Sequence, residues 1–207
     1  MQYTQLLKTS SLIFCSLLLL SACGGNVKEW DQSEAFAVGS MQAINTEIKA
    51  GKITLHGSDD DQIKVNTHFK LTSKRKKELA DSIKLEAIPA AKSLGLRLSL
   101  PALEQDENLT SDVEMYVPAN LQVSLKNSDG DIVIDNLKSG VIVEGVNGNV
   151  NDSNHTGNLV VNVQNGNITM TQVTGNAHKL STQNGTLELK QVTGAVEAYS
   201  ANGNIVA

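Results

Sequence analysis

Three residue types are scarce in this sequence, and each scarcity excludes a class of site. The two cysteines are Cys15 and Cys23, so the rest of the chain can form neither a disulfide framework nor a cysteine-ligated zinc site. No arginine follows Arg97 and the net charge is −5, which excludes nucleic acid as an expected partner. Tyr199 is the only aromatic residue after Tyr116, so a flat face of sugar-stacking rings is not expected there.

The sequence also lacks an apolar run that could span a bilayer. The longest run, residues 12–20, is short, whereas a membrane-spanning helix needs roughly 20 residues. Because Lys8 precedes this run, residues 1–22 are predicted to be a signal peptide.

The segment Leu20-Ser21-Ala22-Cys23 resembles the lipobox of bacterial lipoproteins. The resemblance implies that Cys23 becomes the N-terminus and the lipid attachment site, with palmitate among its acyl chains, and that this lipid anchors the protein in the membrane. Gly24, in place of aspartate, then indicates the outer membrane of a Gram-negative envelope, with the periplasmic or surface face left open. The alternative is an ordinary signal peptide with a chance cysteine. Residues 23–40 are predicted to be the lipidated cysteine and a tether.

The domain that follows, residues 41–207, begins with apolar and polar residues in alternation, which is typical of half-buried strands. The alternation predicts an N-terminal β region interrupted by one short helix over residues 74–82. The predicted strands are residues 43–48, 52–56, 62–69, 83–87, 94–100, 112–118 and 121–125.

A regular repeat occupies residues 129–207, in units of 18 or 19 residues. Each unit opens with a turn dipeptide: Asp129-Gly130, Asn147-Gly148, Asn165-Gly166, Asn184-Gly185 or Asn202-Gly203. A second glycine follows ten or eleven residues later, at Gly140, Gly157, Gly175 and Gly194. Aliphatic residues recur three positions after each opening, at Ile132, Val150, Ile168, Leu187 and Ile205. A fixed period of this kind is the signature of stacked repeat proteins.

Two architectures fit this period. In a β-solenoid each unit is one coil, and like residues stack about 4.8 Å apart. In an antiparallel meander each unit is a pair of strands joined by Asn-Gly turns. The recurrence of asparagine, glycine and an aliphatic residue at fixed offsets favours the solenoid, in which stacked asparagines form amide ladders. The prediction is therefore an all-β fold, a single-stranded β-helix-like solenoid of 18–19-residue coils with an N-terminal β region.

The repeat contains few candidates for chemistry. Its carboxylates include Asp129, Asp131, Asp135 and Glu144, and the first two simply take the place of asparagine at a turn. Asp152 and His155 are different, because they occupy positions that are aliphatic in the other units. A buried aspartate without a partner is costly, so either the two residues pair with each other or that coil opens to solvent. They are either a ligand or metal site or the mark of a local bulge, and we expect the bulge. No phosphate loop, nucleophile motif or metal-ligand spacing is present, so no cofactor and no metal are expected.

The stretch Met115-Tyr116-Val117-Pro118-Ala119-Asn120-Leu121-Gln122-Val123, continued by residues 127–132, resembles the bacterial DUF4097 "putative adhesin" family. The segment from Gly51 to Asp59 resembles the opening strand pair of the same family. The resemblance covers most of residues 40–207 and implies a role in binding at the cell envelope.

The sequence therefore predicts a non-enzymatic, lipid-anchored envelope protein, either an adhesin or a structural scaffold. Its expected partners are the membrane, a protein or polysaccharide, or a second copy that contacts the C-terminal coil. One alternative is a polysaccharide-acting enzyme that uses Asp152. The other is an envelope-stress accessory protein that binds a membrane partner.

Overall fold

The computed structural model describes residues 26–207, and within them the chain forms fifteen strands and one short helix. The strands are β1 (Val27–Ala37), β2 (Ala43–Ala50), β3 (Ile53–Ser58), β4 (Gln62–Thr72), β5 (Lys84–Pro89), β6 (Ser93–Ser99), β7 (Asn108–Pro118), β8 (Gln122–Asp129), β9 (Ile132–Asp135), β10 (Val141–Asn147), β11 (Val150–Thr156), β12 (Leu159–Asn165), β13 (Ile168–Asn184), β14 (Leu187–Asn202) and β15 (Ile205–Val206). The helix α1 is Lys76–Ser82.

The repeat region is a β-solenoid, as predicted. Every strand pair from β8 to β15 is parallel, so that Val141 pairs with Val123 on one side and Leu159 on the other. Between β13 and β14 the register shifts after Thr174 and resumes at Ala177. An antiparallel meander is therefore excluded for these residues. The long strands β13 and β14 bend around the solenoid and pair on both of its faces.

Two stacks of strands enclose the core. One stack contains β5, β6, β2, β8, β10, β12 and the C-terminal halves of β13 and β14. The other stack contains β1, β4, β7, β3, β9, β11, the N-terminal halves of β13 and β14, and β15. The predicted aliphatic column is buried at Ile132, Val150, Ile168 and Leu187, and each such side chain contributes about 1.5–3 kcal/mol. Ile205 in the last coil departs from the column, since it is 49% exposed.

The first end of the solenoid is covered by antiparallel strands. All of β1 pairs with β4, and Trp30 stacks on Phe69 with ring centroids 4.9 Å apart. The predicted tether is therefore wrong for residues 27–37. The strand forms there because burial of Trp30, together with eleven paired residues, outweighs the polar composition of the segment.

A polar cluster fixes the loop beside α1. The Arg75 guanidinium donates to Glu107 through Nη2 at 2.7 Å, and the Ser73 hydroxyl also donates to this carboxylate. The Arg75 hydrogen bond, helped by the Glu104 backbone N–H and by Ser73, lowers the pKa of Glu107 to about 2. The loop before β7 is thereby held against the start of the helix.

Glycine is required at the repeated turn because successive turns touch through their backbones. A Cβ on Gly166 would lie 1.9 Å from the Gly148 carbonyl oxygen, which no side chain can tolerate. The second glycine column contains Gly157, Gly175 and Gly194, but its first member is Ser139. The assignment of Gly140 to this column is wrong, since a Cβ there would meet only the Asn158 oxygen at 3.8 Å.

Candidate functional site

The candidate sites from the sequence fall in different parts of the chain. Cys23, the predicted lipid attachment site, lies outside the described residues. Asp152 and His155 lie inside the solenoid, and the C-terminal coil lies at its far end.

Asp152 and His155 form a buried pair in the coil of β11. The Nδ1 atom of His155 is 2.8 Å from Oδ2 of Asp152, and neither side chain is exposed. On the other side of the ring, Nε2 donates to the Ser139 carbonyl oxygen at 2.7 Å. Because that carbonyl can only accept, Nε2 carries a proton, and a second proton is shared between Nδ1 and the carboxylate.

This coil has no local bulge of its own. Asn154, between the two residues, has a positive φ of 51°, but Asn136, Gln172 and Gln191 have the same conformation at equivalent positions of the other coils. The expected bulge is therefore wrong. The polar pair is a substitution in the core, accommodated because the two side chains hydrogen-bond to each other and to Ser139.

Burial and pairing shift the pKa values of both Asp152 and His155. Burial raises the pKa of Asp152, although the hydrogen bond and the charge of His155 oppose this rise. Burial alone would lower the pKa of His155, but its bonds to Asp152 and to Ser139 outweigh that effect and raise the pKa. The pair therefore holds its shared proton more tightly than separate groups in water would.

His178 is a third buried polar residue in the same region; as one of the dispersed histidines it shows no ligand spacing in the sequence, and its burial was not predicted. It stands in a core column between Leu159 and Val196, and its Nε2 donates to the Thr193 carbonyl at 3.2 Å. Its charge acts on Asp152 to lower the pKa of that carboxyl. The signal was available, because the residues 19 positions before and 18 positions after His178 are both aliphatic.

The repeated turn asparagines form a hydrogen-bonded ladder along the solenoid surface. Asn147 donates through Nδ2 to Asp129 at 2.7 Å, and Asn165, Asn184 and Asn202 each donate to the preceding asparagine at 2.7–2.9 Å. Asp129 only accepts, which suits its place at the first rung. The predicted amide ladder is present.

The remaining carboxylates also have structural partners. Asp131 accepts a backbone N–H from the next coil at 2.8 Å, and Asp135 accepts from the Ser153 hydroxyl at 3.0 Å. Glu144 pairs with Lys126 at 2.7 Å. These groups lie at the turns and on the outer surface, so they do not converge with the buried pair on one reaction centre.

The last coil presents an open strand edge, here called the terminal edge and formed by residues 195–202 and 205–206. Among the described residues, these segments have a strand partner on one side only. Apolar and aromatic side chains stand exposed along it: Val196 is 38% exposed, Tyr199 60% and Val206 52%. Such an edge can accept another strand.

Two further features are absent from residues 26–207. None of their helices is long and apolar enough to cross a membrane. No three histidine, cysteine, aspartate or glutamate side chains in this part of the chain are grouped so that they could hold a metal ion.

Solved structures from bacteria are similar to this chain. One is described as a "putative adhesin" from Parabacteroides distasonis; it is 12% identical, with a TM-score of 0.58 over 86% of this chain and 73% of that chain. Another is described as a "putative cell adhesion protein" from Clostridium sporogenes; it is 14% identical, with a TM-score of 0.49 over 86% of this chain and all of that chain. At 12% identity, the likeness to the Parabacteroides distasonis structure shows the fold alone.

Comparison with the curated proteins gave no significant match. The family described as Toastrack DUF4097, in contrast, matches residues 41–207, which include the solenoid and most of its covered end. The chain belongs to the DUF4097 (Toastrack) family.

Proposed function

We propose that this protein is a lipid-anchored, non-enzymatic scaffold of the cell envelope that joins a second copy of itself along the terminal edge. The observation that carries the proposal is the contrast between this edge and the two edges at the other end of the solenoid.

Those other edges carry the charges and the proline that discourage pairing. In β1 the charged residues are Lys28, Glu29, Asp31 and Glu34, and β5 contains Lys84, Glu86 and Pro89. The terminal edge has a single charged residue, Glu197, and it pairs with Lys179 at 3.1 Å. The edge therefore lacks the features that keep an exposed strand alone.

A second copy is the occupant that best matches the terminal edge. Around a two-fold axis, residues 195–202 would meet the same residues of the partner as an antiparallel pair, so both edges would be satisfied at once. Charge does not oppose this contact, because Glu188 of the last coil pairs with Lys190 just as Glu197 pairs with Lys179. Tyr199, the most exposed large side chain of the edge, would then be covered.

A non-enzymatic role is supported by the position of the polar pair. Asp152 and His155 have no exposed side-chain surface, so a polysaccharide could not reach them. The other carboxylates of the repeat are engaged by neighbours in turns or on the surface.

The lipid anchor would orient the solenoid. Only residues 24–26 separate Cys23 from β1, which is the outermost strand of its stack. Eight strand-to-strand steps lead from β1 to β15, so the terminal edge would stand roughly 40 Å farther from the membrane than β1. That arrangement would present the edge away from the bilayer.

The test of self-association is the molar mass of the purified protein by light scattering, together with two matched variants. Tyr199→Lys places a charge on the terminal edge, whereas Ile142→Lys places one on a strand that is paired on both sides, where the side chain is 47% exposed. We expect a dimer for the wild type and for Ile142→Lys, and a monomer for Tyr199→Lys. A monomeric wild type, or equal masses for the two variants, contradicts the proposal.

The anchor has its own test. Cells that express the full chain should incorporate labelled palmitate into it and retain it in the membrane fraction, and Cys23→Ser should lose both properties. Membrane retention of the Cys23→Ser protein, without label, would contradict lipid anchoring.

A further inference from the structure

The four Asn-Gly pairs of the solenoid differ in how the glycine N–H and the asparagine side-chain amide are hydrogen-bonded. In an Asn-Gly sequence, the glycine nitrogen can attack Cγ of the asparagine, because glycine has no Cβ to hinder the approach. The nitrogen loses its proton to water, the N–Cγ bond forms, and the Cγ–Nδ2 bond breaks with loss of ammonia. Water then opens the cyclic imide to aspartate or isoaspartate. The reaction therefore needs a free glycine N–H and a side-chain amide that can turn.

In three of the pairs, the glycine N–H is not free and the asparagine amide cannot turn. The N–H of Gly148 and that of Gly166 each donate to a carbonyl of the next coil at 2.9 Å, and the N–H of Gly185 donates in the same way at 3.1 Å. The amides of Asn147, Asn165 and Asn184 each donate through Nδ2 and accept through Oδ1 within the ladder. Attack at these sites requires the solenoid to open locally.

The fourth pair, Asn202-Gly203, is arranged differently. Within residues 26–207, the Gly203 N–H has no hydrogen-bond partner, and both residues are exposed. Asn202 is held at one end only, through Nδ2 to Oδ1 of Asn184 at 2.9 Å. The last rung thus has the free nucleophile and the partly free amide that the inner rungs lack.

We propose that Asn202 is a site of spontaneous deamidation in the folded protein, while Asn147, Asn165 and Asn184 are protected by their place in the ladder. The product carries a carboxylate at the last rung. The Nδ2 donor to Asn184 is lost, and one negative charge is added beside the terminal edge.

In the Tyr199→Lys variant trypsin separates the relevant sites, because cleavage after Lys138, Lys179, Lys190 and the substituted position 199 gives the peptides 139–179, 180–190, 191–199 and 200–207. Asn202 is the only asparagine followed by glycine in the last peptide, and Asn184 is the only one in the peptide 180–190. The purified Tyr199→Lys variant is incubated at mildly alkaline pH and low concentration, and deamidation of each peptide is followed by mass spectrometry. This variant is used so that the result does not depend on the proposed self-association.

We expect the peptide 200–207 to deamidate at least about tenfold faster than 180–190, a ratio equivalent to about 1.4 kcal/mol of protection. In concentrated guanidinium the sites in both peptides should react at similar rates, and Asn202→Gln should abolish the product in 200–207. Equal rates in the folded protein, or faster reaction at Asn184, would overturn the proposal. So would a folded protein in which no site reacts while the unfolded chain reacts at all of them.

Discussion

The buried Asp152–His155 pair gives the sharpest test of how the core tolerates polar residues. The perturbation replaces each residue by one from its own column, which gives Asp152→Ile, His155→Val and the double variant. Isoleucine stands beside Asp152 at Ile134, and valine beside His155 at Val173, so the new side chains have packed precedents.

The magnitudes follow from the geometry. Either single variant leaves a fully buried polar group without its partner, which costs about 3–5 kcal/mol of unfolding free energy. Replacing both members of such a pair by apolar residues is neutral or stabilising by about 1–4 kcal/mol. The double variant also strips the Ser139 carbonyl of its donor, which costs about 1–3 kcal/mol. The double variant should therefore lie within about 2 kcal/mol of the wild type.

The assay is urea denaturation of the four proteins, analysed as a double-mutant cycle with unchanged m-values as the control. The reasoning is refuted if both single variants lose less than about 1 kcal/mol, or if the double variant loses the sum of the two single losses.

The same four proteins have a predicted pH dependence. The pKa of Asp152 is raised from 3.8 and that of His155 from 6.5, so above those values the folded protein binds more protons than the unfolded chain. Stability from these groups is therefore present at low pH and is lost as pH rises. We expect the thermal midpoint of the wild type to fall relative to the double variant from pH 6.5 upward. A difference that is constant with pH would contradict the raised pKa values.

Three further experiments, which use five substitutions, test the rest of the fold. Glu107→Gln should lower the thermal midpoint. Because the pKa of Glu107 is lowered to about 2, the difference in midpoint from the wild type should be full above pH 4.5 and should shrink as pH falls toward 2. A difference that persists in acid would contradict the ion pair. Asn165→Asp removes a ladder donor on the exposed surface and should destabilise the protein by about 0.5–1.5 kcal/mol in urea, whereas Asp129→Asn keeps the acceptor and should have little effect. Gly166→Ala should destabilise the protein by at least about 3 kcal/mol or prevent folding. Gly140→Ala should be neutral or should stabilise the protein by about 0.4–1 kcal/mol. Equal effects of the two substitutions would show that the close turn contact is not formed.

The spacing of the turns made the solenoid predictable. Because parallel coils in register place like residues on like residues, the offsets of Asn165 and Ile168 from their neighbours give both the ladder and the core column directly. The same alignment placed Asp152 and His155 in the core, although it did not show that they would pair.

Other features depend on contacts that no local pattern records. The polar composition of residues 27–37 hides a strand, since its formation depends on Phe69, which lies far along the chain and receives Trp30. Ser139 occupies the position that is glycine in the later coils. A side chain is possible there because the carbonyl of Ser139, rather than its side chain, contacts the next coil. A count of glycines therefore assigned Gly140 to the wrong column.

Hydrogen–deuterium exchange of the terminal edge, measured as a function of protein concentration, tests the central claim most directly. We expect that the amides of residues 195–206 that face outward exchange rapidly in dilute protein and become protected as the dimer forms, while β10 and β12 stay protected throughout. Rapid exchange of the terminal edge at every concentration, including those at which a dimer is present, would contradict it.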